Sequence, residues 1–141
     1  MKKILVATHE KFAEGIVSTA NLILGKQENL SFINAYTDEI PFNEKLEAFI
    51  STVDEKDTLI VFTDIFGGSV NQTALGYLNR KNVYLISGIN LPLLLEVVML
   101  SEEQVNEAKL KEVVHASKEQ IIFANNEINK NNESSDDDFD L

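Results

Sequence analysis

A doubly wound α/β fold, one parallel sheet with helices on both faces, is what this sequence predicts, and three observations carry it. Short runs such as residues 3–8 and 58–63 are apolar and β-rich on both faces, the pattern of strands covered from two sides. Each such run is followed by a segment with apolar residues at helical spacing. The chain has 141 residues, 44% of them hydrophobic, which suits one domain with a sizeable core.

The elements follow in order. Residues 3–8 (Lys-Ile-Leu-Val-Ala-Thr) form the first strand, and residues 11–24 place Phe12, Ile16, Ala20, Ile23 and Leu24 near one helical face, with Gly25 as a stop. Residues 30–36 are a second strand. Pro41 stands near the start of a helix through Leu46, Phe49, Ile50 and Val53. Residues 58–63 are the clearest strand; 64–68 are a loop, and Ser69 starts a helix toward Leu78. Residues 83–87 are a fourth strand, Pro92 fits the first turn of a helix through Met99, and residues 102–116 form a last helix.

The composition bounds the function. The formal net charge is -11, from 23 acidic and 12 basic residues, with Arg80 the single arginine. Nucleic acid and anionic membrane surfaces need clustered basic residues, so neither is an expected partner. There is no cysteine, hence no disulfide and no thiolate nucleophile or Cys-based zinc site, and no metal or other cofactor is expected. The apolar run near Met1 is too short for a signal peptide, and no stretch of about 18 apolar residues exists to insert in a membrane. A cytoplasmic protein is the expectation. From Asn125 the composition turns polar, Asn-rich and acidic, holding six acids and only Lys130 as a base, so the preceding 124 residues carry about -6. Residues 1–124 thus read as one domain and 125–141 as a disordered tail.

An open sheet of this kind builds its site beyond the carboxyl ends of its strands. His9 stands directly after the first strand and Asp64 directly after the third. An unperturbed imidazole, with a pKa of about 6.5, is a competent nucleophile near neutral pH. It works best when an acceptor pins one nitrogen and leaves the other lone pair free, and Asp64 is the natural acceptor. Gly67-Gly68-Ser69 then enters a helix: glycines let backbone approach a ligand, and a helix start with a serine hydroxyl suits phosphate. Each element also has a plain structural reading. A lone histidine is often merely exposed, Asp64 can open a turn, and Ser69 can cap its helix.

Together these motifs resemble the enzyme IIA component of the mannose family of the bacterial sugar phosphotransferase system. The resemblance spans residues 2–124 and rests on Ile4-Leu5-Val6-Ala7-Thr8-His9, on Phe62-Thr63-Asp64-Ile65-Phe66-Gly67-Gly68-Ser69, and on Ser87-Gly88-Ile89-Asn90-Leu91-Pro92-Leu93-Leu94-Leu95-Glu96. It implies a four-stranded parallel sheet in the order 2-1-3-4. It implies that His9 accepts a phosphoryl group from the phosphocarrier HPr and passes it to a IIB protein during sugar uptake, as a phosphotransferase with a phosphohistidine intermediate. Asp64 would orient His9; Ser69 and the amides near Gly67 and Gly68 would contact the phosphoryl oxygens. It further implies a homodimer, in some members with a short antiparallel strand exchanged between subunits, for which residues 120–124 are the candidate. Two positions depart from the family's habit: Glu10 stands where glycine is common, and Val70 where proline is frequent. Only the acidic tail follows the domain, so IIB is expected on a separate polypeptide.

Two other readings compete. The same domain type serves regulatory proteins and the phosphoryl donor of dihydroxyacetone kinase, which keep the histidine. A flavodoxin-like binding module without enzymatic activity is the third, and yellow colour on purification would betray a flavin.

Overall fold

The structure is a computed structural model and describes residues 1–133. Its centre is a sheet of four strands, β1 (Lys2–His9), β2 (Leu30–Ala35), β3 (Thr58–Thr63) and β4 (Val83–Ser87). All neighbours are parallel and the order is β2-β1-β3-β4, as the resemblance implies. The chain steps from β1 outward to β2, then back past β1 to β3. The strand order therefore reverses between β1 and β3, and the crevice beyond their carboxyl ends is where such folds place ligands.

Alternation along each strand divides the core in two. On one face Ile4, Val6, Ile60 and Phe62 pack against α1 (Phe12–Leu24), α4 (Leu91–Met99) and α5 (Glu107–Lys118). On the other, Leu5, Ala7, Leu59 and Val61 meet α2 (Phe42–Ile50) and α3 (Ser69–Leu75). Fully burying a side chain such as Leu5 or Phe62 contributes roughly 1.5–3 kcal/mol, so the two central strands anchor the fold. Every residue of β4 stays half-buried, as befits a sheet edge. Lys2 turns its charge to structural use: Nζ donates to the carbonyl oxygens of Val97, Val98 and Leu100 where α4 ends. Burial lowers its pKa from the ordinary lysine value.

Some elements differ from expectation. The buried face of α1 is Ala13, Ile16, Val17 and Ala20, while Phe12 and Ile23 are exposed. Ile16 and Ala20 lie on this face as expected, and Ala13 and Val17 complete it in place of Phe12 and Ile23. The helix expected over 102–116 is broken in two. Ser101 and Gln104 form a capping box around a 3-10 turn (Glu102–Gln104), Val105 is extended, and Asn106 caps α5 by accepting from the Lys109 N–H at 2.8 Å. α3 ends at Leu75, short of Leu78.

A further helix, α6 (Ala124–Glu133), starts at the last residue of the expected domain and runs into the segment 125–141 read as disordered; its residues 124–132 are exposed. Residues 134–141 of that segment lie outside the described residues. Of residues 120–124, expected as an exchanged strand, 120–123 form no strand within this single chain and Ala124 begins α6.

Candidate active site at the β1–β3 crevice

His9 is the last residue of β1, and the register pairs Ala7 with Thr63, the last residue of β3. Asp64 therefore emerges beside His9. Its Oδ2 lies 2.9 Å from His9 Nδ1 and also accepts the His9 backbone N–H at 3.1 Å. Oδ1 accepts the N–H of Ile65 at 3.1 Å, so both carboxylate oxygens are fixed. A carboxylate can only accept, so Nδ1 carries the proton and Nε2 presents its lone pair. The imidazole is 37% exposed and the carboxylate only 12%, which leaves the free nitrogen accessible and its partner sheltered.

The loop from Asp64 to Gly68 brings Ser69 to the other side of the ring, with Oγ 3.4 Å from Nε2. Gly67 has φ 80, a left-handed conformation that favours glycine. Its N–H donates to Asn71 Oδ1 at 3.0 Å, and its carbonyl accepts from Gln72 Nε2 at 2.7 Å. Asn71 is buried and donates from Nδ2 to the hydroxyls of Thr63 (3.1 Å) and Ser87. Those hydroxyls are joined at 2.9 Å, so one buried amide ties the loop to the ends of β3 and β4. Gly68 adjoins His9: a Cβ there would make ordinary van der Waals contact, 3.5 Å from His9 Cε1 and 3.4 Å from the Ile65 carbonyl oxygen. Behind His9, the buried Thr8 hydroxyl accepts the Ala13 N–H at 2.7 Å, fixing the start of α1.

All five residues singled out from sequence, His9, Asp64, Gly67, Gly68 and Ser69, thus come together. Two others at the site were not foreseen. Tyr36, just past β2, places its hydroxyl 2.6 Å from Ser69 Oγ and its ring centroid 5.4 Å from that of His9, tilted by 35°. Its signal was its place at the carboxyl end of a strand. Asn71 is the second residue, a polar one facing the core of a helix that is otherwise apolar there. Glu10 is exposed and has φ 54. Its backbone is held by donation to the Ala35 carbonyl at 2.9 Å. The position thus has the left-handed backbone that glycine adopts most readily.

Among the described residues no cluster of three or more His, Asp or Glu side chains is placed to hold a metal ion. No helix among them is long and apolar enough to cross a membrane.

Residues 3–118 match the family described as the PTS system fructose IIA component. The PTS system mannose-specific EIIAB component of Escherichia coli (strain K12) is 29% identical over 103 residues, 71% of this chain. That stretch is 32% of the Escherichia coli protein, so the chain spans about a third of that relative's length. The PTS system fructose-specific EIIA component of Bacillus subtilis is 26% identical over 105 residues, 72% of each chain. Among solved structures, a Klebsiella pneumoniae protein provisionally described as a phosphoenolpyruvate-dependent sugar phosphotransferase system permease superposes with a TM-score of 0.85 at 35% identity, covering 90% of this chain and 93% of its own. The PTS IIA protein associated with the fucose utilization operon of Streptococcus pneumoniae gives 0.79 at 27% identity, covering 90% and 96%.

Proposed function

The chain belongs to the fructose/mannose IIA family of the sugar phosphotransferase system, and from that membership and the geometry around His9 we propose that it is a phosphoryl carrier. Its His9 accepts a phosphoryl group from phospho-HPr and yields it to a IIB protein during sugar uptake. The observation that carries this is the 2.9 Å contact between Asp64 Oδ2 and Nδ1, which leaves Nε2 as the nucleophile. In the accepting step the Nε2–phosphorus bond forms as the donor's bond to phosphorus breaks, and the electron pair stays with the donor. The imidazole becomes cationic, and the Asp64 carboxylate stabilises that charge without taking the proton. The second transfer reverses these movements toward IIB.

The phosphoryl oxygens rest against Ser69 and the loop before it. The N–H groups of Gly67 and Gly68 already serve Asn71 Oδ1 and the Ile65 carbonyl. The Ser69 hydroxyl and the first-turn amides of α3, which lack intrahelical acceptors, are therefore the donors, and Gly67 supplies the left-handed turn that leads into them. Work between HPr and a transporter's IIB implies a cytoplasmic location.

Incubation with phospho-HPr tests the reading. Acid-labile phosphate is expected on the wild type and none on His9→Ala; normal labelling of His9→Ala refutes it.

A further inference from the structure

We propose that Tyr36 is a positioning residue for His9, acting through the Ser69 hydroxyl; this rests on the carrier function proposed above. Three observations converge on it. The Tyr36 side chain is largely outside the core, the residue being 53% exposed, so burial does not account for its arrangement. Its backbone is left-handed, φ 65, a conformation uncommon for a bulky aromatic residue and found where surrounding structure holds it. That backbone aims the hydroxyl at Ser69 Oγ, 2.6 Å away, and the ring at His9.

The direction of the hydrogen bonds follows from the donors available. Asp64 can only accept, so Nδ1 donates to it and Nε2 is left as an acceptor. Ser69 Oγ, 3.4 Å from Nε2, is then the donor toward the ring. With its single proton so used, Ser69 can only accept from Tyr36, and the Tyr36 hydroxyl donates. One directed chain results: Tyr36 to Ser69, Ser69 to Nε2, Nδ1 to Asp64. That proton sits on the lone pair that must attack phosphorus, so it has to swing onto a phosphoryl oxygen as the Nε2–phosphorus bond forms, and Tyr36 holds Ser69 Oγ where that swing is short. After transfer the same proton faces a phosphoryl oxygen. Without the phenol, Ser69 is free to turn its proton elsewhere. The tilted Tyr36 ring also stands beside the imidazole, with centroids 5.4 Å apart.

The test uses the full-length chain with ¹⁵N-labelled histidine, as wild type, Tyr36→Phe, Ser69→Ala and the double variant. Tyr36→Phe removes only the hydroxyl of an exposed residue. The His9 Nε2 resonance is expected to move in Tyr36→Phe toward that of a free acceptor nitrogen, and to be unaffected by the same change in the Ser69→Ala background. Phosphoryl uptake from phospho-HPr should fall roughly 3- to 10-fold in Tyr36→Phe, the order of one hydrogen bond, with no further fall when added to Ser69→Ala. An Nε2 resonance unmoved by Tyr36→Phe, or moved equally in both backgrounds, overturns the proposal. So does a change confined to the apparent affinity for phospho-HPr, which would make Tyr36 a donor-docking residue. A wild type that takes no phosphate sinks the carrier function separately, and the resonance comparison still decides the role of Tyr36.

Discussion

Asp64 holds His9 at two points, through the ring at Nδ1 (2.9 Å) and through the backbone N–H (3.1 Å), with the same oxygen Oδ2. One carboxylate thus fixes both the position of the residue and the tautomer of its ring. It can do so because β1 and β3 are in-register neighbours, so that two residues far apart in sequence leave the sheet side by side.

Replacing Asp64 with Asn keeps the shape but offers an amide that can donate to Nδ1. The ring proton would move to Nε2 and block the nucleophile. We expect the initial rate of uptake from phospho-HPr to fall at least ~10-fold and as far as ~10⁴-fold, the range of tautomer-directing carboxylates. The amide nitrogen then also faces the His9 backbone N–H that Oδ2 accepts in the wild type, so stability should drop by about 1–3 kcal/mol, and histidine ¹⁵N spectra should report the altered tautomer.

The left-handed positions at the site separate by residue type. Gly67→Ala puts a Cβ at φ 80 and is expected to destabilise the protein by about 1–2 kcal/mol in urea unfolding. Glu10→Gly, at φ 54, is expected to change stability by less than ~0.5 kcal/mol, because relief of strain is offset by the freedom of an unfolded glycine.

Asn71→Ala strips the Gly67 N–H of its acceptor and the Thr63 and Ser87 hydroxyls of their shared donor. Unmade buried hydrogen bonds cost about 1–3 kcal/mol, and the midpoint of chemical unfolding should drop accordingly. Uptake at a temperature where the variant is still folded should also slow, since the loop carrying Ser69 loses its tie to the sheet.

What sequence revealed and what it hid have physical causes. Continuous apolar runs made β1 and β3 legible, and the position after each strand singled out His9 and Asp64. The glycine pair and Ser69 were legible because glycines followed by a helix-opening serine are the residue types that let a backbone and a hydroxyl approach a phosphate. Tyr36 was not, since a left-handed turn at a non-glycine residue leaves no periodic trace and its neighbour Ser69 lies on another element. Asn71 was hidden inside a helix whose burial only the fold decides. The face of α1 is legible in part: Ile16 and Ala20 lie on it, but Ala13 and Val17 complete it, because a helical face one step round serves the sheet and leaves Phe12 and Ile23 exposed. The capping signals at Ser101 and Asn106 were present in the sequence but were overridden by a longer apolar period.

The most direct measurement concerns the atom that carries phosphorus. Protein labelled with ¹⁵N at histidine and phosphorylated by phospho-HPr should show ³¹P coupled to His9 Nε2, with the proton retained on Nδ1 beside Asp64. Phosphorus on Nδ1, or on any other residue, would contradict the account.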